Sequence, residues 1–454
     1  MEKRLPPGPR EWPVVGSAFA FSKDPLSLFA NLHRDYGEVA TITIMGLPFF
    51  FFAHPRAVKH ILVDNARNFT NREAYPELRM LVGDGLLTLD GTDHRQQRRI
   101  VQPAFHRSRI ESYADEMLEH THRTLQSWRP GVEVDIADEM SRLTLGIAGA
   151  TLFGADLVAE TSEIGRAFLE AAEYTDLPAL SLGRLPLNLP FTPYGKFMRA
   201  KRMLDEVVTR IIVQRRADAR ESSDVLSMLL AARDENGAAL ADQQVRDHVL
   251  TFLAAGHATT ANALTWTFYL LSQHPDVMAK LSDELAAVLR GRDPTVEDLP
   301  RLPYLEAVVK ESMRLYPPAW AQARRAIADF ALEGYEFPAG SFVVVSQWVT
   351  HRRHDFWRDP QRFLPERFDP STESEPPPLA YFPFGAGPRT CIGMPFAMLE
   401  ARLVLATILQ RFRPALAPGF RVVPRALIIL QPANGVRMIL EPVTRSINVS
   451  APLR

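Results

Sequence analysis

Residues 384–393 read Phe384-Gly385-Ala386-Gly387-Pro388-Arg389-Thr390-Cys391-Ile392-Gly393, and an apolar stretch predicted as a helix over 394–412 follows at once. Cys391 is the chain's one cysteine. That excludes an intrachain disulfide and any cysteine-rich zinc or iron–sulfur site. Two readings stay open for it: an inert thiol in the core, or a single thiolate doing chemistry. Glycines on both sides let the backbone come close to a bulky flat ligand without Cβ clashes. A cysteine at a helix N-terminus has its thiolate stabilised by free N–H groups and the helix dipole. Arg389, two residues earlier, adds positive charge suited to an acidic substituent on that ligand. Together these features describe an iron–thiolate loop under a haem, where sulfur donates electron density that favours O–O cleavage. The competing reading of Gly385-Ala386-Gly387 as a phosphate loop fails, because Pro388 follows and no GxGxxG spacing is completed.

Outward from the loop, composition sets limits. The chain has 454 residues, 46% hydrophobic and 23% charged, as expected of a globular protein with a large core. Its 52 Lys plus Arg against 53 Asp plus Glu leave a formal charge of −1, which argues against a general nucleic-acid binder. No Gly/Ser-rich linker, charge block or repeat divides the sequence, so one domain over 1–454 is expected. Proline, at 36 residues, is high and suits one large irregular fold. The N-terminus has no apolar segment of signal or anchor length. Residues 249–273 lack Asp, Glu, Lys and Arg, yet carry Thr251, Thr259, Thr260, Asn262, Thr265 and Thr267. So many polar groups suit a helix through a protein core better than one facing lipid. A cytoplasmic protein without a membrane anchor is expected.

The local patterns place these segments. Pro25 to Tyr36 reads as a helix ended by Gly37. Val39 to Ile44 and Leu47 to Phe52 read as a strand pair around Met45-Gly46. Helical periodicity dominates from Thr92 to Gly291. Asp242 is the expected cap of the uncharged helix, which His274-Pro275 ends. Further helices are predicted over 276–289 and 302–315, and a strand over 342–345. The long Pro-rich and aromatic stretch from Arg352 to Pro388 is of the kind that wraps a ligand.

Four more motifs stand in order along the chain: His94 with Arg98, Ala255-Gly256-His257-Ala258-Thr259-Thr260, Glu311-Ser312-Met313-Arg314, and Pro365-Glu366-Arg367-Phe368. With residues 384–393, Phe384 and Gly393 included, they resemble the signature set of the cytochrome P-450 superfamily. The resemblance implies a mainly α fold with small β-sheets, a triangular helical prism with a long central helix over the haem. The β-rich lobe would come mainly from 37–55 and 319–350, and the helical lobe from 92–318 and 394–412. It implies haem b with Cys391 as axial iron ligand, and Arg389, His94, Arg98 and Arg324 as partners of the haem propionates. Glu311, Arg314 and Arg367 take the structural role of bracing the thiolate loop. Ala255, Gly256 and Thr259 line the oxygen-activating part of the central helix, with Thr259 as a proton relay. There this chain departs from its family: Ala258 stands where an acid is common. His257, about 100° away around the helix, does not simply replace it.

The activity implied is monooxygenation, one oxygen atom of O2 going into a C–H bond of an apolar small molecule. A fatty acid, terpenoid, steroid or macrolide would all fit. Candidate walls, by position in the family, are Leu86, Leu87, Phe252, Ala255, Ala319, Trp320 and Ile429, with Leu185 to Pro193 as a mobile entrance. No dinucleotide fingerprint is present, so the resemblance implies a monomer served by a separate ferredoxin or flavodoxin and an NAD(P)H-dependent reductase. Two other classes would keep Cys391: a peroxygenase or non-oxidative haem-thiolate enzyme, and a haem-based sensor. His351 and His354, at i, i+3, have no accompanying ligand motif for a metal site.

Overall fold

Asp24 accepts a hydrogen bond from Ser27 N at 3.0 Å, and Pro25 takes the first helical position. These start α1, Pro25–Tyr36, which ends at Gly37 with φ 88°. In this computed structural model, which describes residues 5–175, 186–218, 224–233, 237–369 and 376–443, the predicted hairpin follows directly. Its strands are β1, Val39–Ile44, and β2, Leu47–Phe52. Met45 and Gly46 both have positive φ, 53° and 78°, as a two-residue hairpin turn with the right twist requires. With β3, Phe69–Thr70, β4, Gln322–Ala326, and β5, Phe342–Val345, they make a five-stranded sheet of order β1-β2-β5-β4-β3. β2 runs parallel to β5, with Phe49 opposite Phe342, and β4 runs antiparallel to β5. Phe50, Phe51 and Phe52 are all buried, which is why β2 reads as a continuous apolar run without alternation.

The helical body supplies the rest of the frame: α2 (Gly91–Val101), α3 (Ile136–Ala148), α4 (Thr161–Thr175), α5 (Pro193–Ala217), α6 (Asp242–Gln273), α7 (Pro275–Leu289), α8 (Pro303–Leu315) and α9 (Met394–Leu409). α6, with 32 residues, passes between α3, α5, α8 and α9. Side chains all round it are buried, as a helix without a polar face must be. Its hydroxyls bond backward to carbonyls four residues earlier: Thr251 to Asp247 O, Thr265 to Ala261 O and Thr267 to Ala263 O, each at 2.7 Å. Those bonds let so many threonines sit in a core. Among the described residues no helix is long and apolar enough to cross a membrane.

Two expected boundaries shift. Ala241, not Asp242, is the N-cap of α6; the Gln244 side chain closes the turn by accepting from Ala241 N at 2.9 Å. Asp242 becomes the first helical residue and pairs with Arg216 at 3.2 Å. α9 ends at Leu409, before the expected Phe412, which instead opens a strand, Phe412–Leu416. Pro414 cannot continue a helix and biases Arg413 toward extended backbone. As a strand residue Phe412 still reaches the core, against Trp128 at 5.6 Å between ring centres. That strand pairs with Arg437–Pro442, which also pairs with Glu133–Asp135, a small sheet absent from the expected lobes. Of the expected entrance, Leu185 lies outside the described residues, and residues 186–190 are exposed without regular structure.

Helix and sheet lobes meet at Trp266. It is fully buried, stacks on Tyr316 at 4.2 Å, and donates its indole N–H to Leu430 O at 3.3 Å. Trp266→Ala should cost about 3–5 kcal/mol, the usual loss for truncating a buried tryptophan. A thermal midpoint equal to that of the parent protein would show that the two lobes are held by other contacts.

Candidate functional site

Cys391 is placed by a tightly turned loop. Gly385 N donates to Phe382 O and Cys391 N to Phe384 O, both at 2.9 Å, and Thr390 N to Gly387 O at 3.0 Å. Gly387 has φ 68°, and a Cβ there would lie 2.0 Å from Leu62 O, so no other residue fits without moving backbone. Gly393 is the N-cap of α9. The Cys391 sulfur is exposed to a large cavity. Burial pushes its thiol up, and the amides of Gly393 and Met394, with the charge of Arg98, oppose that shift.

Four basic groups share one rim of this cavity: His94 and Arg98 from α2, Arg324 from β4, and Arg389 from the loop. Asp90 is the carboxylate among them. It pairs with Arg389 and also accepts from Asn71 N at 3.1 Å and Arg72 N at 2.8 Å. Arg324 is buried, and its guanidinium donates to Ala323 O at 2.7 Å and Gln322 Oε1 at 3.0 Å, neither of them anionic. Burial lowers its affinity for a proton, and lowers that of Arg389 to a pKa of about 10. Arg325 turns the other way, to Glu73 at 2.8 Å, so the two adjacent arginines have different surroundings. His94 is pushed down to about 4 by burial, then by Arg389 and Arg98, and is neutral at ordinary pH. Three guanidiniums against one carboxylate suit a ligand with acidic substituents. With a thiolate donor below, the donor set fits a haem.

α6 forms the opposite wall. Thr259 Oγ1 donates to Ala255 O at 2.7 Å, and both residues line the cavity, as do Gly256 and Ala258. His257 faces α3, 3.1 Å from Ser141 Oγ. All seven expected wall residues line the same space: Leu86, Leu87, Phe252, Ala255, Ala319, Trp320 and Ile429. Trp320 is also committed elsewhere, its indole N–H bonding Leu427 O at 2.7 Å. The cavity, about 1250 Å³, exceeds the range usual for one drug-sized ligand.

The brace lies behind the loop. Glu311 and Arg314 are fully buried and joined by two bonds, Nε to Oε2 at 2.7 Å and Nη2 to Oε1 at 2.8 Å. Arg314 also donates to His351 O at 2.7 Å, Pro360 O at 2.8 Å and Arg362 O at 3.1 Å. Glu311 Oε1 accepts from Leu364 N at 2.9 Å and from Arg367 Nε at 3.2 Å. His351 then accepts from Phe382 N at 2.9 Å, linking the brace to the haem loop. His354, three residues on, is exposed, whereas His351 is buried in the brace.

Three neighbours had no sequence signal. Asp90 and Tyr75, whose hydroxyl accepts from Ala323 N at 2.6 Å, sit far from the motifs they serve. Glu400 is fully buried on α9 beside Thr260, and burial holds its carboxyl well above the usual range, hence neutral.

Residues 6–436 match the family model described as Cytochrome P450. Cyclooctatin synthase of Streptomyces melanosporofaciens is 36% identical, over 95% of this chain and 94% of its own length. Cyclooctat-9-en-7-ol 5-monooxygenase of the same organism is 36% identical, over 90% of each chain. Pentalenene oxygenase of Streptomyces avermitilis is 34% identical, over 94% of this chain and 95% of its own. Among solved structures, a retinoic acid-bound cyanobacterial CYP120A1 is similar at a TM-score of 0.88 and 29% identity, covering 98% of this chain and 100% of its own.

The unequal burial of the two arginines gives an order to their loss. Arg314→Ala strands a buried carboxylate and should cost about 3–5 kcal/mol. Arg367, 11% exposed at the side chain, makes a longer bond, and Arg367→Ala should cost about 1.5–3 kcal/mol. Folded yield, thermal midpoint and haem retained per chain measure both. A fully haem-loaded Arg314→Ala of parental stability would end the bracing role.

Proposed function

This chain belongs to the cytochrome P450 family and is a haem-thiolate monooxygenase acting on apolar small molecules with O2 and a redox partner; from that premise we propose that its substrate is a terpenoid-like cyclic hydrocarbon or alcohol. The single observation that carries this is the apolar cavity wall facing Cys391, made by Leu86, Phe252, Ala255, Ala319 and Ile429. Cyclooctat-9-en-7-ol and pentalenene, in the names of two relatives, are unsaturated molecules of that kind.

The balance is RH + O2 + 2 e− + 2 H+ → ROH + H2O, and the bound haem supplies the chemistry that activates O2. Cys391 Sγ would hold the iron, and the amides of Gly393 and Met394 would temper the charge on sulfur. Arg98, Arg324, Arg389 and neutral His94 would hold the acidic substituents. Phe384 and Gly393 bound the loop on either side of the thiolate. Ala255 and Gly256 keep side chains out of the groove in α6. Thr259 holds a proton at Oγ1 there and passes it on through water. The apolar walls orient the substrate and keep bulk water from it. Electrons come from a separate ferredoxin or flavodoxin with its NAD(P)H-dependent reductase, and the enzyme works as a monomer. Ala258, lacking an acid, favours one other reading, in which peroxide replaces O2 and the reductase.

Cys391→Ser should lose the absorption band characteristic of a thiolate-ligated, reduced carbon monoxide complex. A variant that keeps that band has its iron ligand elsewhere. Thr259→Ala should raise the share of electrons lost as hydrogen peroxide, since a placed proton donor contributes on the order of 100- to 10,000-fold. Product formed per NAD(P)H consumed, with a cyclic alkene as substrate and peroxide measured in parallel, reads this out. Unchanged coupling, with faster turnover on added peroxide, would favour the peroxygenase.

A further inference from the structure

Leu86 and Leu87 reach the cavity from irregular backbone. The loop 83–90 that carries them joins the short helix Pro76–Val82 to α2. Leu86 is buried and Leu87 is 44% exposed, and both line the cavity. The loop is tied within itself. Thr88 Oγ1 donates to Gly83 O at 2.6 Å, and Thr88 N and Leu89 N donate to Gly85 O at 3.1 and 3.0 Å. It is therefore a compact unit, and its attachments at either end decide where the two leucines stand. One attachment is at the rim, where Asp90 pairs with Arg389.

The other is Asp247, in the second turn of α6. Its side chain is buried and does not line the cavity. Oδ2 accepts from Asp84 N at 2.8 Å, and Oδ1 accepts from Gln243 Nε2 at 2.7 Å and Arg246 Nη1 at 2.8 Å. Arg246 also donates to Leu81 O at 3.2 Å and to Asp205 of α5 at 2.8 Å. The carboxylate is thus fixed by its own helix when it takes the loop amide, and a hydrogen bond to a charged acceptor is among the stronger kinds. The approach is close. Gly83 has φ 73°, and a Cβ there would lie 2.3 Å from the Asp247 carboxylate. A Cβ on Gly85 would lie 2.1 Å from Thr251 Oγ1, one turn further along α6. The loop is seated on α6 with no room for a side chain at either point. Thr259 lies about 18 Å further along the helix, so Asp247 is out of reach of the reacting atoms.

We propose that Asp247 is a positioning residue for substrate selectivity: through Asp84 N it sets how far the Leu86–Leu87 wall stands from α6, and so which carbon of the substrate is presented for oxidation. The inference rests on the reading that a cyclic apolar molecule fills this cavity. Selectivity is then governed partly by the seat of the wall, behind the side chains that touch the substrate.

Binding of a cyclic alkene to the haem-loaded enzyme, read as displacement of the iron-bound water, and the ratio of its oxidation products test this. Asp247→Ala should weaken binding on the order of tenfold, the size of one hydrogen bond to a charged group. It should also spread oxidation over more carbons, with kcat at saturation within about twofold of the parent, as a binding loss of that size implies. Asp247→Asn keeps an oxygen for Asp84 N and should retain most of the parent's affinity and product ratio. Gly85→Ala displaces the loop through Thr251 and leaves Asp247 intact, so it should change the product ratio in the same way, and it decides the matter should Asp247→Ala not fold. Parental binding and product ratio in every folded variant, with only the thermal midpoint lowered, overturn the proposal, because Asp247 would then serve stability alone. An Asn variant as impaired as the Ala variant also overturns it, since the pairing with Arg246 and not the bond to the loop would set the wall. A fall in kcat with binding unchanged does the same. If the parent binds no cyclic alkene, the substrate reading fails by itself, and the same comparison with a straight-chain fatty acid decides the role of Asp247.

Discussion

Everything at this site depends on keeping one charged pair out of water. Glu311 and Arg314 have no exposure, and desolvating two ions costs several kcal/mol each before any attraction is counted. The cost is offset because almost every donor and acceptor is used: five bonds from the guanidinium, and two further ones to the carboxylate from Leu364 N and Arg367. Those partners come from the irregular stretch 351–367, which has little regular structure to fix it. The ion pair takes the place of a sheet or helix there. Through His351 it reaches Phe382 N, and so the turn that presents Cys391.

The long helix α6 solves the opposite problem, keeping polar groups inside a core and still reactive. Most of its hydroxyls are satisfied within the helix, which makes them inert. Thr259 makes the same backward bond but faces the cavity, so its oxygen keeps a lone pair for water. What differs is exposure and not the bond: Thr251, Thr265 and Thr267 are buried, and Thr259 is not.

Legibility in the sequence followed the range of the interactions. The hairpin at Met45-Gly46, the helix from Pro25 and the strand at 342–345 are set by local turn chemistry and period, and fall where expected. Phe412 was misplaced because apolar period alone does not distinguish the end of a helix from a strand reaching the same core. Arg324 and Arg325 look equivalent as letters. Only the alternation of β4, which sends neighbours to opposite faces, separates the one at the cavity from the one at Glu73. Asp90, Tyr75 and Glu400 were invisible because each depends on a contact between segments distant in sequence, with no spacing rule to expose it.

The two sides of the cavity make incompatible demands on water. Oxidising an apolar substrate requires that bulk water be kept from the reacting carbon, and the wall from Leu86, Phe252 and Ile429 does that by offering nothing to hydrogen-bond. Supplying two protons requires water, or groups able to stand in for it. A single acid beside Thr259 meets both demands at one position. α6 lies at this cavity, with Thr259 bonded back to Ala255 O and His257 beside Ser141 of α3. Because neighbours on a helix point about 100° apart, one turn of backbone is enough to present both faces. The packing of α6 against α3 fixes the angle of α6, and with it the positions of Thr259 and Ala255 at the cavity.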